Sequence, residues 1–195
     1  HVHMFYIKRF FIWLARCRYS RGFGIQSPND YSFVMNVINE HAPFYAYSDL
    51  KQCFQHVYRR KRRMAELLLR LANWLQPEKV ALLSNVDPIY VEYIKAGCNK
   101  AIVSANWKSN ETKMFVIDRD AVNRSVAIDS AYPSIDSILS TDETVIVITD
   151  IYGTNKSLWN ELLERGTSII IFDLYHIGII LCKKNRYKIK YNLNL

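Results

Sequence analysis

From Lys79 onward, short apolar runs alternate with helical segments, and this alternation limits the fold more than any other feature of the chain. Near-continuous apolar strands separated by helices are typical of a parallel sheet that is covered on both faces. The final three apolar runs follow one another without helices, which predicts an antiparallel C-terminal edge. The predicted strands are Val80–Leu83, Ala101–Ser104, Met114–Ile117, Thr144–Thr149, Ser168–Asp173, Ile177–Cys182 and Tyr187–Tyr191. The predicted helices are Pro88–Ala96 and Asn155–Glu164, with shorter pieces at 121–127 and 134–139.

The part of the chain before this alternation is predicted to be helical. Ser27 can cap a helix, Pro28 suits its first position, and Asp30 suits its positive end. A later apolar stripe from Met64 to Leu75 predicts a long buried helix that ends before Pro77. We therefore divide the chain into a helical N-terminal extension, residues 1–76, and an α/β domain, residues 77–195.

The first helical segment, Met4–Leu14, carries an aromatic and aliphatic face with a basic edge. A helix of this kind most often packs on its own domain or on a partner subunit, so we expect a homo-oligomer or a protein partner to contact it. Contact with a membrane surface is the rarer alternative.

The formal charge of the chain is +8, which favours acidic partners but says nothing about the fold. The densest basic run is Arg59–Arg63, close to Lys51 and to three tyrosines. Consecutive residues point all around a helix, so the run cannot form one flat stripe. Tracking of a nucleic-acid backbone together with Lys51 and the tyrosines is one open interpretation. A solvated helix start or an acidic partner is the favoured interpretation, although a basic run is unfavourable at the positive end of a helix.

The four cysteines are far apart and form neither a CxxC pair nor a zinc-type cluster with histidine. Their spacing predicts reduced thiols in a cytoplasmic protein. The apolar runs are shorter than the roughly 20 residues of a membrane-spanning helix. The sequence contains no GxSxG, HExxH or phosphate-loop motif.

The segment from Val80 to Tyr93 reads as a strand that runs into a helix without a glycine at the turn. A phosphate or ribose lies against such a turn where glycines let the backbone approach closely. Asp87 is a good helix cap, and Pro88 is a good first helical residue. The Asp87 carboxylate is therefore expected to satisfy the N–H groups that would otherwise meet the anion of a ligand.

Five short motifs, in order, resemble class I S-adenosylmethionine-dependent methyltransferases, and more closely a methyltransferase-like group of Bacteroidetes-type bacteria. The motifs are Gly24–Pro28, where Gln26 replaces a usual histidine, Phe44–Tyr47, Leu68–Asn73, Asp150–Ile151 and Asp173–Gly178. The resemblance covers the chain from about Arg16 onward. It implies a Rossmann-like methyltransferase fold, with a mostly parallel sheet, an antiparallel C-terminal edge and preceding N-terminal helices.

The chain departs from this family at the places that hold the cofactor. Leu82, Ser84 and Pro88 stand where the family has an acidic residue and two glycines. Ser104, Ala105 and Asn106 stand where an acidic residue binds the ribose hydroxyls, and none of them carries a charge. The segment 106–113 is also too short for the helix and strand that usually form the wall of the adenine pocket.

The resemblance implies S-adenosylmethionine as cofactor, which Ser84, Asn85 and Asp87 would contact if the site survives. Asp118 and Asp150 each follow a predicted strand, and in a working enzyme they would orient or deprotonate the acceptor. Metal-dependent relatives hold magnesium with carboxylates near here, and Asp120 could be a third. Capping of the following segments is the favoured role, and no metal is expected.

These observations predict a methyltransferase-like protein that has lost S-adenosylmethionine binding and catalysis and that acts as a binding or assembly protein. Two alternatives stay open. The first is an active methyltransferase on a small-molecule or macromolecular acceptor. The second is a basic module that binds nucleic acid or a membrane surface.

Overall fold

A seven-stranded sheet with the order β2-β1-β3-β4-β6-β5-β7 lies between two layers of helices. The computed structural model describes residues 2–17, 19, 22–42, 44–83, 86–105, 111–118 and 134–195, with the backbone alone for residues 2–9. The strands are β1 (Lys79–Leu82), β2 (Ile102–Ser104), β3 (Thr112–Ile117), β4 (Thr144–Thr149), β5 (Ile169–Asp173), β6 (Ile177–Cys182) and β7 (Ile189–Asn192). All seven predicted strands are confirmed to within about two residues at each end.

Strand β6 alone runs against the others, because it pairs antiparallel with both β4 and β5. The other neighbouring strands pair in parallel, including β7 with β5. The predicted mostly parallel, Rossmann-like sheet with an antiparallel C-terminal part and preceding N-terminal helices is therefore confirmed. The reversal comes from the tight β5–β6 hairpin, in which Tyr175 adopts a left-handed conformation with φ of 71°.

The helices of the described residues are α1 (Val2–Cys17), α2 (Pro28–Phe33), α3 (Ala46–Cys53), α4 (Arg59–Leu75), α5 (Pro88–Gly97), α6 (Ile135–Ser140) and α7 (Lys156–Arg165). Helix α2 continues directly into a π-helix, Val34–Ile38. The predicted helical piece at 121–127 lies outside the described residues. Ser27 caps α2 and Pro28 is its first residue, as the sequence predicts.

Two hydrophobic cores cover the two faces of the sheet. The alternate residues of each strand belong to different cores: Val145 and Val147 face α4 and α5, whereas Ile146 and Ile148 face α6 and α7. Every residue of β4 is buried. A strand buried on both sides must be apolar throughout, which is why the central strands read as unbroken apolar runs.

The N-terminal helices share the first of these cores. Phe33 of α2 packs against Phe172 of β5 with ring centroids 4.9 Å apart, and α4 contributes its buried leucines to the same cluster. The division between residues 76 and 77 stays a prediction about chain organisation.

Arg70 of α4 is buried and donates to the carbonyl oxygens of Val37 (2.6 Å) and Ile38 (3.1 Å), which fixes the end of the π-helix.

All four cysteines are free, with Cys17 and Cys53 exposed and Cys98 and Cys182 buried. Across the described ranges, no helix has both the length and the apolar character that crossing a membrane requires. The cytoplasmic location stays a prediction.

A buried carboxylate ties α2 to the last strand. Asp30 is almost fully buried and accepts hydrogen bonds from Arg186 (Nη2–Oδ2 2.8 Å) and from the Tyr191 hydroxyl (2.9 Å). Burial is the main cause that raises the pKa of Tyr191 to about 12, and the bond to Asp30 adds to it. The neutral phenol is therefore the form that the fold favours.

This pKa predicts how stability changes at alkaline pH. Because the folded pKa is raised, the contribution of Tyr191 is complete below its unfolded pKa of 10.0 and is lost as the pH rises toward about 12. Between these pH values, we expect the free energy of unfolding of Tyr191→Phe to fall less than that of the unmodified protein, by about 1–2 kcal/mol. Urea unfolding at several pH values measures this difference.

The exposed Tyr187→Phe is the matched control and should keep the slope of the unmodified protein. Cys182 titrates in the same range but is present in all three proteins, so its effect cancels. Equal slopes for Tyr191→Phe and Tyr187→Phe would contradict the raised pKa of Tyr191.

Gly178 lets α7 lie close to β6. A Cβ atom at this position would overlap the ring of Trp159, which is buried in the second core. We expect Gly178→Ala to lower the free energy of unfolding by about 1–3 kcal/mol through overpacking. Urea unfolding of Gly178→Ala, Trp159→Leu and the double variant checks the cause. The loss of unfolding free energy caused by Gly178→Ala should be smaller in the Trp159→Leu background. An equal cost in both backgrounds would show that the ring is not what excludes the methyl group.

Candidate functional site

A cavity of about 160 Å³ lies at the carboxyl ends of β1, β3 and β4. Strand β1 has β2 on one side and β3 on the other, so the cavity stands where the order of the strands reverses. In doubly wound sheets this is the place where ligands bind. Its lining includes Tyr58, Lys61, Asp87, Asp118, Asp150 and His176.

The turn from β1 into α5 is closed by its own side chain. Asp87 caps α5, with its Oδ1 accepting from the Ile89 N–H at 3.1 Å, and Pro88 is the first helical residue. The predicted cap is confirmed. Lys61 of α4 forms an ion pair with the other carboxylate oxygen of Asp87. The carboxylate therefore already has both partners that an anionic ligand group would use, namely a helix N-terminus and a cation.

This ion pair also explains the basic run at the start of α4, for which the sequence provided no account. Lys61 is compensated by Asp87, whereas Arg62 donates to the carbonyl oxygens of Phe54 (3.2 Å) and Gln55 (3.4 Å). Arg63 donates to the carbonyl oxygen of Leu195 at 3.4 Å, so three members of the run make contacts within the protein. The sequence analysis missed Lys61, although a cation placed at a positive helix end signals a carboxylate nearby.

The position at which the family has its ribose-binding acidic residue lies at the end of β2, an edge strand of the sheet. Ser104 ends β2 half-buried, and Ala105 follows it exposed to solvent. The seven residues 105–111 join β2 to β3, fewer than the dozen or more that a parallel crossover normally takes. Asn106 lies outside the described residues, and so do Ser84 and Asn85, whose contact with a cofactor stays a prediction.

Asp118 and Asp150 reach the same cavity from the ends of β3 and β4. Asp118 Oδ1 accepts from the Thr149 hydroxyl at 2.7 Å. Asp150 Oδ2 accepts from both the backbone N–H (3.0 Å) and the hydroxyl (2.6 Å) of Thr154, so it closes the turn that leads into α7. Their predicted catalytic role stays a prediction, and the geometry provides a local structural role for each.

The turn around Asp150 is held from two further directions. The Asp150 N–H donates to the carbonyl oxygen of His176 at 2.7 Å, which joins this turn to the β5–β6 hairpin. The buried Asn155 donates from Nδ2 to the carbonyl oxygens of Thr149 (2.8 Å) and Asp118 (3.0 Å). The strand ends are therefore cross-linked by side chains, which makes this edge of the sheet rigid.

Within the ranges that the structure describes, no three His, Cys, Asp or Glu side chains come together in a way that could hold a metal ion. Asp120, the third carboxylate of the magnesium hypothesis, lies outside these ranges. The hypothesis therefore keeps only Asp118 and Asp150, and both are already hydrogen-bonded.

The cavity is small for the cofactor that the resemblance implies. Sites that enclose small molecules usually measure about 300–1,000 Å³, whereas this one measures about 160 Å³. Leu82 stands at the end of β1, at the position where the family has an acidic residue. The described residues therefore do not fit an adenosyl group together with an amino-acid tail.

No family model matches the chain, and no curated protein matches it either. Among solved structures, the chain is similar to a methyltransferase from Geobacter sulfurreducens. The two share 11% identity with a TM-score of 0.38, over 77% of this chain and 95% of that chain. A likeness this weak carries no argument, so the fold and the site rest on the geometry given above.

The two roles of Asp87 can be separated by substitution. We expect Asp87→Ala to lower the free energy of unfolding by about 1–2 kcal/mol, because the cap and the ion pair are both lost. Asp87→Ser keeps a capping oxygen, so its cost should be about 0.5 kcal/mol, the size of a partly exposed ion pair. Urea unfolding measures both values, and Lys61→Met should match the serine variant. Equal losses for Asp87→Ala and Asp87→Ser would contradict the capping role.

Proposed function

We propose that this chain is a non-catalytic protein of methyltransferase fold that has lost S-adenosylmethionine binding and acts by binding a partner through α1. The observation that carries the proposal is the Asp87 carboxylate, which caps α5 and pairs with Lys61 inside the crevice. A cofactor could enter only by displacing these contacts.

The loss extends beyond this one contact. The cavity is about half the size of the smallest common ligand sites, and no carboxylate stands at the described end of β2. A polar cofactor group needs a matched partner when it leaves water, because an unmatched buried group costs about 1–3 kcal/mol. The ribose hydroxyls would find neither an acidic acceptor at Ser104 nor a glycine turn against which to lie.

A working methyltransferase is less well supported. Asp118 and Asp150 are the side chains proposed to orient an acceptor, and both accept hydrogen bonds from threonine donors. A nucleic-acid module is also less well supported, because Lys61 and Arg62 of the basic run Arg59–Arg63 make contacts within the protein.

Calorimetry with S-adenosylmethionine tests the proposal on the full chain and on Lys61→Ala. We expect no saturable heat for either protein at millimolar cofactor, because removing Lys61 opens the cavity without restoring the ribose anchor or the glycine turn. Circular dichroism of both proteins controls for folding.

Two outcomes would overturn the proposal. Micromolar binding at one site of the unmodified protein would show that the cofactor site survives. Binding by Lys61→Ala alone would show a complete site that Lys61 closes, and the protein would then be a gated enzyme.

A further inference from the structure

Helix α1 presents an exposed apolar face at its C-terminal half. Phe10, Phe11, Trp13 and Leu14 have exposed fractions of 56%, 62%, 52% and 48%. At 100° per residue these four positions fall within an arc of about 160° of the helix. Phe10 contacts both Phe11 and Trp13, with ring centroids 5.9 and 6.3 Å apart. We call this surface the aromatic face of α1.

The opposite side of the helix is fastened to the body of the protein. Arg16 donates from Nη1 to Asp173 Oδ1 at 2.9 Å and to the Asp173 carbonyl oxygen at 3.2 Å. Asn194 donates to the carbonyl oxygen of Trp13 at 3.0 Å. The last turns of α1 therefore cannot roll to bury the aromatic face, which is held toward solvent.

The anchor stays charged at neutral pH. Burial would raise the pKa of Asp173, but hydrogen bonds from Tyr152 and Arg16 outweigh it, and the pKa lies below its usual range. Lys190 adds a second cation, with Nζ 3.2 Å from Oδ2. A fully buried carboxylate that is held by two cations and a hydroxyl fixes the position of Arg16 and hence the orientation of the helix.

Charge decides which surface covers the aromatic face. Besides Arg16, which pairs with Asp173, residues 2–29 contain four basic side chains and no aspartate or glutamate; the four are Lys8, Arg9, Arg18 and Arg21. Two copies of the chain would bring like charges together at this helix, and the whole chain carries +8. Anionic lipid headgroups attract the same charges, while the acyl boundary takes the aromatic rings.

We propose that the aromatic face of α1 binds the surface of an anionic lipid bilayer, with the helix lying in the plane of the headgroups. This inference rests on the part of the proposed function that assigns binding to α1, not on the loss of the cofactor, and it names the partner left open there. The exposed apolar side chains are few, so neither apolar burial nor charge is sufficient alone, and the binding is peripheral and reversible.

Flotation of the full chain with vesicles tests the inference. We expect binding to phosphatidylcholine vesicles that contain about one third phosphatidylglycerol, none to pure phosphatidylcholine, and a loss of binding as salt rises. Phe11→Ser should weaken binding at least about tenfold, because one fewer aromatic ring enters the boundary. Tyr187→Ser removes an aromatic side chain that is 90% exposed elsewhere and is the matched control.

Several results would overturn the inference. The first is no binding to the anionic vesicles, and the second is equal binding by Phe11→Ser and Tyr187→Ser. The third is that the unmodified protein forms a dimer, does not bind vesicles, and becomes monomeric in Phe11→Ser. Calorimetry with S-adenosylmethionine and flotation with vesicles test two different statements. Cofactor binding by a chain that also binds vesicles would refute the proposed function and leave the membrane surface standing, whereas absence of both would refute only the membrane surface.

Discussion

The burial of the central strands on both faces is the constraint on which the rest of the structure depends. All residues of β4 and nearly all of β3 are buried, so helices must cover the sheet on each side. Polar side chains are then confined to the strand ends, where the backbone leaves the sheet. The cavity, the capped turns and the buried carboxylates all lie at such ends or at helix starts, because no other place in the fold admits them.

Carboxylates at these positions act as structural ties in this chain. Asp87 joins α5 to α4 through Lys61, Asp30 joins α2 to β7, and Asp173 joins β5 to α1. Each is compensated by a cation. Asp30 and Asp173 are buried, and removing the partner of a buried carboxylate typically costs about 3–5 kcal/mol because the charge is left buried and unpaired. This edge of the sheet, where ligands bind in doubly wound folds, is here cross-linked by side chains. The narrow crevice and the outward-facing helix are the observations that support the proposed binding role.

Much of the fold could be predicted from periodicity and capping. The apolar runs located all seven strands, and Ser27, Asp87 and their following prolines located two helix starts. The candidate site was harder. Asp118 and Asp150 were identified because each follows a strand, and Asp87 because it can cap a helix; the structure brings all three to one cavity. Lys61 was missed, since its partner lies 26 residues away and only the packing of α4 against α5 brings them together.

The sequence by itself determined the alternation of strands and helices, the caps and the absence of a glycine turn, because these are local properties of neighbouring residues. Tertiary structure decided the rest. It inserted β6 between β4 and β5, paired Lys61 with Asp87, and anchored Arg16 to Asp173 across 157 positions of the chain. Contacts of this kind depend on where whole elements pack, and no local pattern of side chains encodes the distance between two helices.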